Sequence, residues 1–311
     1  MVKPQRQKPI LLIALGGNAM IQKGQRGTIR EQFNNLRLPV RQIAALSEFY
    51  RIIVTHGNGP QVGDLLLQQE ACQEVPALPL EILVAQTEGQ IGYMIESTLD
   101  EALMEMGIEF RPLVTMITYV VVDKDDPSFS QPAKPIGPSY TRKEADRLSY
   151  PTIATSTGYR RVVASPRPVT IVEKREIQKL LDLDFIVICC GGGGIPVVRE
   201  GRAFSGVDAV IDKDLASALL AEEVGADLFL IVTDVSGVKI NFGGPDEKML
   251  RQLTPEEAIR HLQTGQFGIG SMKPKVEAAT RFVECTGKRA VITSTAEIEH
   301  GAAGTAGTEF V

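Results

Sequence analysis

The sequence predicts an α/β fold with a mainly parallel sheet, on three observations. Short apolar runs alternate with helix-period patterns along the chain. Several of those runs are apolar at every position, which suits parallel strands covered on both faces. Gly107, Gly225 and Gly287 stand just past helical patterns, where left-handed caps belong.

Taken in order, strands are expected at Ile10–Leu15, Arg51–Thr55, Leu113–Val122, Arg161–Ala164, Phe185–Cys190, Leu228–Thr233 and Ala290–Thr293. Helices are expected at Thr28–Phe49, Gln61–Cys72, Leu80–Met106, Lys213–Val224, Pro255–Gln263 and Lys275–Cys285, with Pro39 kinking or splitting the first. Residues 112–168 break the rhythm. They hold eight of the 18 prolines, and prolines interrupt helices and interior strands. A loop-rich insertion or small lid subdomain is expected there. With no fixed-period repeat and no flexible linker, the chain reads as one compact unit of two lobes, the second beginning near residue 200.

Composition narrows the function. The 311 residues are 43% hydrophobic and 23% charged, with a formal net charge of −5. That balance excludes a disordered chain. With no long Lys/Arg run, it also argues against nucleic acid as the main partner. No apolar stretch reaches the roughly 18 residues needed to span a membrane. Lys3, Arg6 and Lys8 before Ile10–Leu15 imitate a secretory signal, but that apolar run is too short. The four cysteines (Cys72, Cys189, Cys190, Cys285) show no C-x-x-C spacing. Cys189 and Cys190 read as two buried thiols on opposite faces of a strand, in a reducing, cytoplasmic setting. The three histidines (His56, His261, His300) are too widely spaced to suggest a metal cluster.

Four glycine-rich turns flank predicted elements: Gly16-Gly17-Asn18, Gly57-Asn58-Gly59-Pro60, Gly191–Gly194 and Gly268-Ile269-Gly270-Ser271. Glycine lets the backbone approach a ligand closely, and a following helix offers unpaired N–H groups to an anion. In open α/β sheets such turns converge at the carboxyl ends of the strands. The P-loop, protein-kinase and G-x-G-x-x-G patterns are all missing from the sequence. Three lysines are placed on stiff supports. Asp212-Lys213-Asp214 opens a helix, where a cation meets the positive end of the dipole unless an anion or water relieves it. Ser271-Met272-Lys273-Pro274-Lys275 repeats that arrangement with a capping Ser. Lys134 lies in the proline-constrained segment Lys134-Pro135-Ile136-Gly137-Pro138. Cations facing glycine turns suit phosphoryl transfer, which depends on positioning and charge neutralisation.

At these residues the chain resembles the carbamate kinases of the amino-acid kinase superfamily, over essentially its whole length. The matching segments are Ala14–Ala19, His56–Gly63, Gln90–Met94, Lys134–Pro138, Arg161–Pro166, Gly206–Asp214, Thr233–Val235 and Gly270-Ser271-Met272 up to Lys275. The glycine turns alone indicate the superfamily. The Lys-Pro-Ile-Gly-Pro segment and the order of all the matches are more specific.

The resemblance implies an open, mainly parallel αβα sandwich with a small protruding lid, assembled as a homodimer. It implies an acyl-phosphate site in the N-terminal lobe (residues 1–200, with the lid at 112–168) and a nucleotide site in residues 201–311. The implied reaction is ATP + carbamate ⇌ ADP + carbamoyl phosphate, run toward ATP in arginine breakdown through arginine deiminase, with Mg2+ held mostly by the nucleotide phosphates. By position, Gly16, Gly17, Asn18, Gly57, Asn58 and Gly59 would cradle carbamate and the moving phosphoryl group, with Arg161 in a further substrate-side segment. Lys134 would reach the same group from the lid. Lys213 would bridge phosphates, Asp214 would fix nearby lysines and donors, and Lys275 would neutralise charge as the P–O bond breaks. Thr233, Asp234 and Val235 would lie beside the adenosine, with Gly268, Gly270 and Ser271 near the β-phosphate. One departure is Lys273, where the family has a small or apolar residue; the register with Ser271 and Pro274 favours Lys275. Two other readings stay open: a superfamily kinase for a larger carboxylate, and an idle nucleotide sensor, though a sensor would be expected to have lost a lysine.

Overall fold

The computed structural model describes residues 7–72, 74–108, 111–155, 158–268 and 271–311. Gly270, and the start of the chain with Lys3 and Arg6, lie outside the described residues. The first part comprises β1 (Ile10–Leu15), α1 (Ile29–Leu46), β2 (Arg51–His56), α2 (Gly59–Ala71), α3 (Leu80–Met106) and β3 (Leu113–Thr115). Next come β4 (Tyr119–Val122), β5 (Lys134–Tyr140), the single turn α4 (Arg142–Ala145), β6 (Thr152–Thr155), β7 (Gly158–Val163) and β8 (Pro168–Ile171). Helix α5 (Lys174–Asp182) leads to β9 (Ile186–Ile188), the hairpin β10 (Ile195–Glu200) and β11 (Ala203–Gly206), α6 (Lys213–Glu223) and β12 (Leu228–Thr233). The rest holds β13 (Lys239–Ile240), β14 (Lys248–Met249), β15 (Gln252–Leu253), α7 (Pro255–Gln263), α8 (Met272–Thr286), β16 (Ala290–Ser294), α9 (Ile298–Ala302) and β17 (Thr308–Phe310).

One eight-stranded sheet, in the order β15-β17-β16-β12-β1-β2-β9-β3, carries the fold. Its pairs are parallel except β16 with β17. Both faces are covered, which explains the unbroken apolar runs. In β1, Leu11, Ile13 and Leu15 join the core under α1 and α3, while Ile10, Leu12 and Ala14 join the core under α6 and α8. The layers are therefore helix, sheet, helix. Because β12, β1 and β2 are parallel neighbours, their carboxyl ends bring Asp234, Gly16 and Gly57 to one rim, where ligands collect in such sheets.

The expected lid window feeds three sheets. β3 edges the main sheet, β4 and β8 join β10 and β11, and β5, β7 and β6 form a separate three-stranded sheet. β5 carries Pro135 and Pro138 yet is a strand, because it lies at an edge where missing N–H groups cost little. The single strand expected over Leu113–Val122 is two strands in two sheets, broken at Met116–Thr118. Pro39 neither splits nor ends α1, which runs on to Leu46. There the buried stripe of Leu36, Val40 and Ile43 outweighs one lost backbone bond. Cys189 and Cys190 are buried as expected, but β9 ends at Ile188 and both thiols join the same core instead of opposite faces. Cys190 is left-handed, with φ 50°.

Candidate active site

The site is built on the first turn of α6. Asp212 caps it, its Oδ1 accepting the Asp214 N–H at 2.9 Å and the Leu215 N–H at 3.4 Å. The other oxygen, Oδ2, receives Lys134 Nζ at 3.2 Å, and Lys134 also donates to the Ile211 carbonyl at 3.1 Å. β5 thus drops its first side chain onto the helix start. Asp214 Oδ1 is bonded by Lys213 Nζ, and its Oδ2 by Lys275 Nζ at 2.9 Å from the first turn of α8. The three lysines from separate elements therefore converge on two carboxylates of one helical turn. Burial pushes the Asp214 carboxyl up, but the Lys213 and Lys275 ammonium groups overcome it and hold it well below the usual carboxylate range. Burial pushes the Lys213 ammonium down, and the charge of Lys275 adds to that against the pull of Asp214. For Lys275 the desolvation is outweighed by Asp214, and its affinity for the proton rises.

Lys273 does not compete for this role. Its side chain points to Glu277 at 3.8 Å, one turn along α8, and is 43% exposed. Ser271 stands before α8 but makes no capping bond; its hydroxyl donates to the Gly268 carbonyl at 3.2 Å, so the expected serine cap is not formed.

The glycine turns divide into two kinds. Gly16 and Gly57 spend their N–H groups on the carbonyls of Val232 (2.9 Å) and Leu15 (3.0 Å), so their expected part as amide donors is not available in this structure. What they supply is proximity. A Cβ on Gly16 would lie 2.9 Å from the Val232 oxygen, and one on Gly57 would lie 3.3 Å from Lys213 Cδ. The N–H groups of Gly17, Asn18, Asn58 and Gly59 have no partner among the described residues and stand at the starts of helical turns. Gly191–Gly194 is buried, and its absent side chains are replaced by His56, Asn58, Ile211 and Val120. That turn is a packing device.

Beside the lysines opens a cavity of about 520 Å³, lined by Thr233, Asp234, Val235, Gly268, Ser271 and Lys275, by Asn18, which the resemblance places in the carbamate cradle, and by Lys239, Phe242 and Phe267, which the sequence did not single out. Nothing in the local sequence distinguishes those three; the β13–β14 hairpin and the turn after α7 bring them there. Arg161 lies apart from the lysine cluster. Its guanidinium stacks 4.4 Å over Tyr150 and faces Glu70 of α2 at 3.6 Å, tying the three-stranded sheet to the body.

His56, at the end of β2, is fully enclosed. Burial pushes its imidazole down to about 4, the Gly57 carbonyl opposing and Lys213 adding. With the folded value below the usual 6.5, the unfolded chain binds the proton more readily between those values. His56 stability is therefore complete above pH 6.5 and lost as pH falls toward 4, by about 3 kcal/mol. Denaturant midpoints between pH 7 and 4 should fall less steeply in His56→Asn than in the natural protein; parallel curves would contradict this.

Residues 9–294 match the model of the amino acid kinase family. The carbamate kinase of Thermococcus kodakarensis is 49% identical, over 97% of this chain and 98% of its own length. Among solved structures, the carbamate kinase of Giardia lamblia bound to citric acid superposes with a TM-score of 0.92 at 38% identity, covering 98% of both chains. The same enzyme bound to AMP-PNP gives 0.90 at 40%, covering 98% of each. With this cleft, this sheet order and this extent of likeness, the chain belongs to the amino acid kinase family, within its carbamate kinase branch.

Proposed function

We propose that this enzyme transfers a phosphoryl group reversibly between ATP and carbamate, giving ADP and carbamoyl phosphate. The observation that carries the reading is the convergence of Lys134, Lys213 and Lys275 on Asp212 and Asp214, next to a nucleotide-sized cavity. In this reading the nucleotide occupies that cavity, its base end toward Thr233, Asp234, Val235 and Phe242 and its phosphates toward Gly268, Ser271 and Lys275. The transferring group lies between Lys213 and the amides of Gly17, Asn18, Asn58 and Gly59. Lys134, Lys213 and Lys275 keep their carboxylate partners and turn their remaining N–H donors to phosphate oxygens, and negative charge migrating from one bridging oxygen to the other stays within reach of a cation. Asp214 keeps two ammonium tips apart and aimed.

Mg2+ enters with the nucleotide as substrate, held by phosphate oxygens and its own waters. Residues 1–200 would form the acyl-phosphate lobe, with the lid inside 112–168, and residues 201–311 the nucleotide lobe. Arg161 belongs to this reading through the lid: its ion pair with Glu70 sets how the β5 sheet, and with it Lys134, lies over the substrate. A cytoplasmic homodimer that consumes the carbamoyl phosphate of arginine breakdown completes the proposal. The pairing of the lysines supports a working kinase over an idle sensor.

Coupled detection of ATP from carbamoyl phosphate and ADP tests the reaction directly. Robust ATP formation is expected. ADP release in the reverse direction should need bicarbonate with ammonia and fail with aspartate or N-acetylglutamate. The opposite pattern, or nucleotide binding with zero turnover, would overturn it.

A further inference from the structure

Beneath the substrate-side turns lies a buried polar group that the reaction does not use. Glu88, in the middle of α3, is 1% exposed. Its Oε2 accepts the Thr118 N–H at 3.1 Å, and its Oε1 lies 3.5 Å from the Thr118 hydroxyl. Thr118 in turn accepts the Cys190 N–H at 2.7 Å, while its carbonyl accepts the Ile195 N–H at 2.8 Å. It therefore holds both ends of the 190–194 turn. That turn rests on the substrate side: a Cβ on Gly191 would lie 2.4 Å from His56 Cε1 and 3.0 Å from Glu88 Cγ, and one on Gly192 would lie 2.1 Å from Asn58 Nδ2. The preceding residue of α3 closes the circuit, since Asn58 Nδ2 donates to Thr87 Oγ1 at 2.9 Å.

We propose that Glu88 is a positioning residue for the acyl-phosphate cradle: through Thr118 it fixes the 190–194 turn, which wedges His56 and Asn58 and so sets the Asn58 and Gly59 amides. The proposal rests on the reading that those amides hold the transferring group.

Counting protons gives the form in which Glu88 acts. The Thr118 hydroxyl has one hydrogen and faces two acceptors, Glu88 Oε1 and the Met116 carbonyl at 3.3 Å. A neutral Glu88 removes the competition by donating its own proton to Thr118 Oγ1, leaving the hydroxyl hydrogen for Met116. Burial pushes the Glu88 carboxyl well above its ordinary range, with Glu173 adding to this and the Thr118 and Gly191 N–H groups opposing it. The titratable groups around it are His56 on β2, Cys190 after β9 and Glu173 before α5. A neutral acid can be replaced by an amide: Gln offers the same acceptor to the Thr118 N–H and the same donor to its hydroxyl.

The test measures ATP formation from carbamoyl phosphate and ADP in Glu88→Ala and Glu88→Gln. In Glu88→Ala, kcat should fall about tenfold or more, since small misplacements are costly in rate. The KM for carbamoyl phosphate should rise about threefold or more while that for ADP stays unchanged. Glu88→Gln should restore all three values. If Glu88→Ala does not fold, Thr118→Ala, which removes the hydroxyl that links Glu88 Oε1 to the Cys190 N–H and leaves only the backbone bond to Oε2, should give the same split. Unchanged kinetics in the alanine variants, a loss confined to ADP, or a glutamine variant as poor as alanine would overturn the proposal. Amide exchange on the substrate-free proteins separates it from the reading of the reaction. Residues 57–59 and 190–194 should exchange about tenfold faster in the alanine variant, with β12 unaffected. Equal exchange there refutes the brace whatever the substrate is, whereas failure of the natural protein to use carbamoyl phosphate refutes only the reaction.

Discussion

Lys275→Ala is expected to lower kcat by about 10²–10³-fold, close to 3 kcal/mol of lost transition-state stabilisation, while the protein stays folded. Lys275 both bonds Asp214, at 2.9 Å, and lines the cavity proposed for the nucleotide, so its ammonium group stands where the lysine cluster meets that cavity. In the proposed reaction charge develops there as the phosphorus–oxygen bond breaks, and a cation already oriented by Asp214 needs no reorganisation to meet it. Lys213→Ala should cost a similar factor from the other oxygen of the same carboxylate. The deletion leaves one ammonium group with Asp214, so no buried charge is stranded and thermal unfolding should move only modestly. Lys273→Ala serves as the control. Its exposed pair with Glu277 contributes about 0–1 kcal/mol, and turnover should be unchanged. Near-normal turnover in both Lys275→Ala and Lys213→Ala would remove the assigned roles, and a large loss in Lys273→Ala would move the role within α8.

Most of the sheet was legible because its strands are buried on both faces: β1 and β12 coincide with the runs Ile10–Leu15 and Leu228–Thr233. Helix α3 was legible from its period and its Gly107 cap. Of the three-stranded sheet β7 was legible in part, from Arg161–Ala164, but β5 was not, because Pro135 and Pro138 argue against a strand unless one knows that it lies at an edge. The break between β3 and β4 was hidden for a related reason. Leu113–Val122 is apolar enough for one strand, and only the bonds of Thr118 to Glu88 and Cys190, both distant in sequence, turn the chain there. In the site, the lysines were legible because each sits on an element whose local pattern constrains it. The glycine turns were legible as positions but not as roles. Whether an amide is free depends on the register of β1 with β12 and β2, which spends the N–H groups of Gly16 and Gly57. Phe242 and Phe267 carry no pattern and reach the cavity by tertiary contact alone.

Asp214→Asn should be the most damaging single change to stability in the site, by about 3–5 kcal/mol at neutral pH. The substitution keeps the shape but leaves Lys213 and Lys275 buried beside one another without their shared counter-charge. Burial already pushes the Lys213 ammonium down while Asp214 opposes it, so removing the carboxylate must lower its proton affinity further. The sign of the pH dependence follows. Between that depressed folded value and about 10.4, the unfolded chain binds the lysine proton more readily, so the variant regains stability as pH rises. The natural protein shows the same sign on the acid side. There Asp214 has a depressed folded value, and its contribution is complete above about pH 4 and lost as pH falls further. A bound polyanion gives the stranded lysines a new partner, so ATP should raise the unfolding midpoint of Asp214→Asn by more than it raises that of the natural protein at equal saturation. Denaturant midpoints from pH 6 to 10, with and without ATP, read both effects. A variant as stable as the natural protein at pH 7, gaining nothing at pH 10 and nothing extra from ATP, would mean that Asp214 does not hold the two cations together.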